Sequence, residues 1–465
     1  MSDSHTRSPH LCRRLRRGAL LLVLCGIAHV AAAADRAHPR PARIVNGTAT
    51  SDYPAVGLLA NGGQLCSATL IGCSTVLTAA HCICARDAEN FAQCQRAGLP
   101  DPQQVVFLLQ HAMPTAASRV AVNANYAFAR GGDLAVVTLA SPVTGIAPAA
   151  FNRAKKPPLG TAGTIVGFGG TGGDPDPSVS VGIKRSAAIE TASCPVAMDD
   201  LPPIPAANHL CIRLTAGGDA GTCFGDSGGP LFVDVGAGIA VGGVASGLDG
   251  DTMDCLAPVS DFHTDVFRYR NFVAAQLGDD QTEACGDLPP VGAPGTIVRA
   301  VEGSLSPDAS SFQTTVAVPP GTRVLRAVMN GDLVTPDGFN DFDLFVNYEA
   351  PATPLDSRCA DDNGVAFGAC EIDAPQAGTW HIAVEDIDGV GAFQLTISLF
   401  GVPPCAGDCS GDGTVAIDEL VRGVTAALNG EVGACPAFDL DGDGVVRIDE
   451  VIAGVDDALL GCNGG

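Results

Sequence analysis

Aromatic residues are scarce in this chain of 465 residues: they make up 5% of it, with one Trp and four Tyr. Gly (57) and Pro (32) are abundant instead. That balance argues against a protein of long helices and favours short strands joined by turns and loops. Basic residues are also few, 26 Lys plus Arg against 51 Asp plus Glu, giving a formal net charge of −25. A body this acidic repels nucleic acid and anionic membranes, which argues against both as partners. Solubility outside the cell accounts for the charge, together with acidic loops near the C-terminus. Beyond the first residues, long apolar runs are missing, so no later segment is fit to span a bilayer.

The basic residues that exist are concentrated at the start. Arg13, Arg14, Arg16 and Arg17 precede the apolar run Ala19–Ile27, and small residues Ala31–Ala34 follow. That order reads as an export signal over 1–34, followed by a short pro-segment over 35–43. The run is too short for a comfortable membrane anchor. The expected location is therefore secreted: extracellular, or periplasmic in transit. Of eighteen cysteines, removal of Cys12 and Cys25 with the signal leaves sixteen. An even number in an exported protein reads as a disulfide framework.

The length suggests two to four domains. The stretch 44–280 has short apolar runs such as Val105–Leu109, Leu134–Leu139 and Thr164–Phe168, separated by Gly, Pro and Asn clusters. This predicts an antiparallel β-barrel or sandwich. Helical spacing over Val266–Leu277 predicts a closing helix. A Gly- and Pro-rich linker over 281–295 leads to a second alternating region, 296–400, whose runs predict a small β-sandwich. The last region, 401–465, repeats itself at an offset of 31 residues, Asp408–Glu419 and Asp439–Glu450.

Four segments of the first region carry chemistry: Ile44-Val45-Asn46-Gly47 after Arg43, Thr78-Ala79-Ala80-His81-Cys82, Asp133-Leu134-Ala135-Val136, and Gly225-Asp226-Ser227-Gly228-Gly229-Pro230. A serine hydroxyl is a weak nucleophile at neutral pH. It needs a base to take its proton, and the base needs an orienting carboxylate. In this order the segments closely resemble the chymotrypsin/trypsin family of serine proteases. The resemblance implies a double β-barrel, with Ser227 as nucleophile, His81 as base and Asp133 as its orienter. It places the oxyanion donors on the amides of Gly225 and Ser227, and Ser246 against the aspartate. It further implies activation by cleavage after Arg43, the new terminus of Ile44 pairing with Asp226. Such a buried pair suits a switch better than a source of stability.

The same resemblance implies the bridges Cys66–Cys82, Cys194–Cys211 and Cys223–Cys255. Cys84–Cys94 reads as a local pair, with Cys73 and Cys285 left over. At the pocket base, trypsin-like members carry aspartate where this chain has Gly221. Two readings stay open. Asp261 supplies the carboxylate from a second position and attracts Lys or Arg, or Asp261 is a loop acid and the pocket is apolar. The segment after Ser246 also lacks the family's usual aromatic-glycine pair.

Region 296–400 resembles the bacterial pre-peptidase C-terminal domain through Asp341–Val346, Cys359 with Cys370, and Ala377–Val384. Its acids, among them Asp341, Asp343 and Asp386, read as calcium ligands or as solvated turn residues. In region 401–465, Asp408, Ser410, Asp412, Thr414 and Glu419 fall at calcium-loop positions, and Asp439, Asp441, Asp443, Val445 and Glu450 repeat them. Calcium wants many oxygens on a sharply turned backbone, with Gly413 and Gly444 at the turns. Each loop runs into a helix-like stretch, Ile417–Leu428 and Ile448–Leu460. The pair resembles dockerin repeats, though those usually end in aspartate. Two readings stay open here as well: a cohesin-type or surface partner, or a calcium-stabilised tail stapled by Cys405, Cys409, Cys435 and Cys462.

The expected architecture is mainly β: a double barrel, a β-sandwich, then a small helical calcium-loop module. The expected function is hydrolysis of protein or peptide substrates after activation by another protease, with calcium structural and no cofactor in catalysis. The alternative is an inactive homologue that binds partners outside the cell in a calcium-dependent way.

Overall fold

A computed structural model describes residues 44–171, 181–196, 203–214, 220–249, 255, 259–283, 285–335, 338–402, 405–410, 414–430, 432–433, 435–440 and 444–462. The expected signal, the pro-segment and Arg43 lie outside the described residues. Among the described residues, no helix is long and apolar enough to cross a membrane.

Six short strands close into a barrel, in ring order Val56–Asn61, Gln64–Leu70, Thr75–Thr78, Ala135–Leu139, Thr115–Val122 and Val105–Leu108. Closure leaves no edge to pair wrongly. The interior is filled by side chains such as Leu58, Leu70, Phe107 and Val137, all within 1% of fully buried. The second half is antiparallel throughout. It is a seven-stranded sheet in the order Thr48–Ala49, Arg185–Glu190, Ala162–Gly167, Pro230–Asp234, Ile239–Asp249, Val259–Asp265 and His209–Leu214. One edge strand is only two residues long, and the far strand is tied to the residues just after Arg185–Glu190 by the bridge between Ala192 and Cys211 (N···O 2.6 Å) and by the Cys194–Cys211 disulfide.

The closing helix runs over Arg270–Leu277 and buries Val273 and Leu277. It starts later than the spacing predicts. The Phe267 amide donates to the Asp265 carboxylate (3.0 Å) and the Tyr269 amide to the Val266 carbonyl (3.1 Å), so 266–269 is a turn. A helix that the pattern does not signal, Phe91–Ala97, is capped by the Asn90 side chain and held by Cys84–Cys94.

All sixteen cysteines from Cys66 onward are paired. The bridges are Cys66–Cys82, Cys73–Cys285, Cys84–Cys94, Cys194–Cys211, Cys223–Cys255, Cys359–Cys370, Cys405–Cys462 and Cys409–Cys435. Cys73–Cys285 ties residues 212 apart and anchors the linker to the first barrel.

Residues 296–400 form two four-stranded antiparallel sheets. One has the order Thr296–Leu305, Gly391–Phe400, Val324–Gly331, Phe367–Asp373; the other, Ser311–Val318, Gly378–Asp388, Asp341–Tyr348, Cys359–Asp361. Leu325, Met329, Phe342, Leu344, Ile382 and Leu395 share one core. This unit is joined to the barrel region by buried amides. Gln110 Nε2 donates to Asn330 Oδ1 (3.1 Å) and Gln394 Oε1 (2.9 Å), and Asn330 Nδ2 donates to the Gly182 carbonyl (2.7 Å). Gln394 also spans the Lys184 peptide, accepting from its N–H (2.8 Å) and donating to its C=O (3.2 Å). Gln110 Oε1 alone among these amide groups has no partner among the described residues; the bonds that are made favour one arrangement of the two regions.

The tail is built around Phe438, which is fully buried. Gly423 and Gly454 lie opposite its ring, where an added Cβ would collide with ring carbons. A mid-helix glycine costs about 1 kcal/mol relative to alanine, and here it makes room for the ring in both helices, Ile417–Asn429 and Ile448–Leu460.

Candidate active site

His81 and Asp133 meet because of one strand pair. Thr75–Thr78 pairs with Ala135–Leu139, Thr78 lying opposite Ala135. His81 follows the end of the first strand and Asp133 precedes the start of the second, so both emerge at the same rim. The His81 amide donates to Asp133 Oδ1 (3.0 Å), and His81 Nδ1 lies 2.7 Å from Asp133 Oδ2. A carboxylate only accepts, so Nδ1 carries the proton and Nε2 is left as the acceptor. Gln64 Nε2 holds the His81 carbonyl (2.9 Å), and the edge of the Phe128 ring system meets the imidazole at 5.9 Å between centroids.

Ser246 reaches the same carboxylate by a break in the sheet. Between Ile239–Asp249 and Val259–Asp265 the register shifts between Ala245 and Gly247. The extra residue of a bulge is re-aimed, and Ser246 Oγ donates to Asp133 Oδ2 (2.5 Å). Asp133 is fully buried. Burial alone would raise its pKa, but the charge and hydrogen bond of His81, with the Ser246 bond, hold it below the usual carboxylate range. For His81, burial pulls down while the charge and hydrogen bond of Asp133 pull up, and the net is upward from 6.5.

Ser227 sits on a turn that only glycines allow on either side. Gly225 and Gly228 have φ of +96° and +79°, where a side chain is strained. The Phe224 carbonyl accepts from the Gly170 amide (2.8 Å) and the Asp226 carbonyl from the Gly229 amide (2.9 Å). In a trans peptide the N–H points opposite to the C=O. The N–H groups of Gly225 and Ser227 therefore point away from those inner partners. Gly225, Ser227 and His81 line one cleft of about 920 Å³, together with Thr222, Gly247 and Leu248.

Asp226 is turned inward, 1% exposed, and accepts from the Gly169 amide (2.8 Å) and the Cys223 amide (2.9 Å). Burial pushes its carboxyl up to about 7, against those bonds and the charge of Arg185. Ile44 is fully buried in a cluster with Ile165, Leu210 and Leu231. Val45 bridges to Gly221. The segment after Arg43 thus already lies beside the loop that carries Asp226.

Asp261 is fully buried and is not among the residues lining the cleft, but its strand partner Leu248 is. Its Oδ2 accepts from the Thr222 amide (2.6 Å), and Oδ1 has no hydrogen-bond partner among the described residues. Burial raises it to about 7, with the bonds from Thr222 opposing and the charge of Asp226 adding. Gly221 lies at the bridge to Val45 and is not among the residues lining the cleft.

Sequence reasoning passed over Phe128, Phe224 and Phe339, all of which line the cleft. Phe224 had a signal in its position just before Gly225. Phe128 and Phe339 had none. His81, Cys66 and Cys82 also cluster closely enough for a metal, but both cysteines are in one disulfide.

In the tail, Glu419 and Glu450 are 2% and 5% exposed and fold back over their loops. Glu419 accepts from the amides of Ser410 and Ala416 (both 2.8 Å), and Glu450 from those of Leu440 and Arg447 (both 2.7 Å). Asp439 accepts from the Gly444 amide (2.9 Å), and Ser410 Oγ donates to Asp408 (3.3 Å). Asp412, Gly413, Asp441 and Asp443 lie outside the described residues. An inward carboxylate and an all-oxygen donor set fit a hard cation such as calcium.

The raised pKa of His81 sets the pH dependence. A protonated imidazole cannot accept the serine proton, so kcat/KM should fall as pH is lowered through a protonation above 6.5. A kcat/KM profile whose acid limb lies below that value would contradict the net upward shift and show that burial outweighs the pull of Asp133.

The profile described as Trypsin matches residues 44–273. The chain is 30% identical to Snake venom serine proteinase 14 of Crotalus adamanteus over 235 residues, 48% of this chain and 81% of that protein. It is 33% identical to Serine protease 56 of Homo sapiens over 208 residues, 42% of this chain and 32% of that protein. Thrombin-like enzyme BjussuSP-1 of Bothrops jararacussu is 26% identical over 244 residues, covering 95% of its length. The chain thus spans about a third of the length of the Serine protease 56 relatives, 32% and 34%.

Proposed function

Because the chain belongs to the trypsin family, we propose that it is a secreted serine endopeptidase, activated by another protease that cuts after Arg43. The observation that carries this reading is the 2.7 Å contact of His81 Nδ1 with buried Asp133, which leaves Nε2 to the cleft that also holds Ser227. Ser227 Oγ attacks the peptide carbonyl while His81 Nε2 takes its proton. The N–H groups of Gly225 and Ser227 receive the developing oxyanion. His81 then gives the proton to the leaving amine, and water releases the acyl group from Ser227 by the same route reversed. The test is hydrolysis of a peptide library by the chain cut after Arg43. A correctly cut, folded chain that leaves every peptide intact contradicts the reading.

Asp261 gives the pocket a preference for Lys or Arg. Its unpartnered Oδ1 is the supporting observation, since a buried acceptor of this kind is costly unless a donor arrives. The Asp261→Asn variant should lose about 10- to 100-fold in kcat/KM for Lys and Arg relative to apolar residues, the range for a hydrogen bond to a charged group. A wild-type library profile without cleavage after Lys or Arg would remove this role.

Residues 296–400 are a β-sandwich of the pre-peptidase C-terminal kind, and 401–465 a pair of calcium loops that act as a structural tail. Asp408, Ser410, Thr414 and Glu419 would hold one ion, and Asp439, Val445 and Glu450 the other, with the acids at 412, 441 and 443 completing the shells. The bound ion supplies structure and no chemistry. Ile417, Val421, Val424 and Leu428 are exposed, as are Ile448, Ile452, Val455 and Leu459 at the same spacing in the second helix. That duplicated apolar stripe supports a cohesin-like or surface partner. Chelation should raise amide exchange in Ile417–Asn429 and Ile448–Leu460 by about 100-fold when free calcium had been at 100 times its Kd. Unchanged exchange would exclude a structural ion.

A further inference from the structure

Large apolar side chains open to solvent are informative when they gather at a site. Phe339 is 67% exposed and Phe224 39% exposed, and both line the cleft that holds Ser227 and His81. Leu65 and Val181 line it too. Phe224 belongs to the loop of the nucleophile. Phe339 does not belong to the trypsin-like region at all: it comes from residues 296–400, beyond the residues matched by the family profile.

Phe339 is tied to the rest of the fold at the root of its hairpin. It lies on the short strand Gly338–Phe339, paired with Val334–Thr335. At the root of that hairpin, Asn340 is fully buried. Its Nδ2 donates to the carbonyls of Asp332 (2.8 Å) and Val390 (3.1 Å), and its Oδ1 accepts from the Val390 amide (3.1 Å). The Leu333 amide donates to the Val181 carbonyl (2.7 Å), and Asn330 Nδ2 to the Gly182 carbonyl (2.7 Å). Gly182 packs directly on Gly331, leaving no space for a Cβ. Val181 in turn lies against Gly225, where a Cβ would come within 3.2 Å of its methyl carbons. An unbroken set of contacts therefore runs from Asn340 to the oxyanion amides and fixes where Phe339 stands relative to Ser227.

Resting on the protease reading above, we propose that residues 296–400 supply part of the substrate site, Phe339 and Phe224 together forming a subsite for a large apolar side chain of the peptide near the scissile bond. Both rings spend surface in water that a substrate side chain would cover, and covering apolar surface is the main favourable term in association. Leu65 and Val181 add apolar surface to the same cleft. Residues 296–400 then form part of the working enzyme and are not a removable appendage.

The test uses the full chain cut after Arg43, as wild type, Phe339→Ala and Phe339→Leu, with a peptide library and a single-residue ester. Phe339 is mostly exposed, so neither variant disturbs the core. For each enzyme the readout is the ratio of kcat/KM for peptides with Phe, Leu or Met at each position over those with Ala there. In wild type one position should show a clear preference. Phe339→Ala should lower that ratio about 10-fold, the scale of a lost hydrophobic contact in a pocket, and Phe339→Leu should restore most of it. Ratios that superimpose in wild type and Phe339→Ala overturn this inference alone. A wild type that hydrolyses neither ester nor peptide overturns the protease reading and this inference with it.

Discussion

Replacing Ser227 with Ala should lower kcat for peptide cleavage by about a million-fold, with the fold intact. The size follows from the way the site is assembled. Nucleophile, base and carboxylate act as one unit, so loss of one member forfeits most of what the group does. His81→Ala should cost about as much, and the double variant hardly more. Asp133→Asn should cost less, about 10⁴-fold, by favouring the wrong tautomer of His81. What remains in each case comes from the oxyanion amides and from binding. The measurement is single-turnover and steady-state kinetics on a cleaved peptide. A Ser227→Ala variant within tenfold of wild type would contradict the mechanism and favour a chain that only binds its partners.

The second large effect is expected at the activation point. An Arg43→Gln chain should resist the activating cut and stay at least about 100- to 1,000-fold below the cut enzyme in kcat, the scale of losing one oxyanion donor. The reason is Asp226. It is buried, and its carboxyl is pushed to about 7. With that acid raised, the folded chain binds more protons than the unfolded one. Stability of the uncut chain should therefore fall as pH rises from the ordinary carboxylate range through 7. Cleavage frees an ammonium on Ile44, and a cation beside Asp226 removes that penalty. The Gly221–Asp226 loop, which leads into the Gly225 and Ser227 amides, then holds its shape. Melting curves of cut and uncut chains across this pH range should diverge as pH rises. If they run parallel, or if Arg43→Gln is fully active, Asp226 is not the switch.

How much of this was legible in the residues depends on the distance over which each feature is determined. Strands such as Val105–Leu108 and Ala135–Leu139 carry their own pattern of apolar residues and turn signals. His81, Asp133 and Ser227 lie in short segments whose residues make sense only together. The closing helix was misjudged at its start because Asp265 captures the Phe267 amide, a local competition that periodicity does not report. The largest omission is the seam between the barrel region and residues 296–400. Gln110, Asn330 and Gln394 are single amides with no pattern around them, and each finds its partner 220 or 284 residues away. Phe339 is invisible for the same reason. Its meaning comes from Leu333 meeting Val181, a contact that no local rule predicts.

Active-site labelling is the most direct test of the central claim. The chain cut after Arg43 is treated with a fluorophosphonate, digested and read by mass spectrometry. One adduct on the peptide that contains Ser227 is expected, absent from the uncut chain and from Ser227→Ala. A cut, folded chain that takes up no label, or an adduct that persists in Ser227→Ala, would contradict the account.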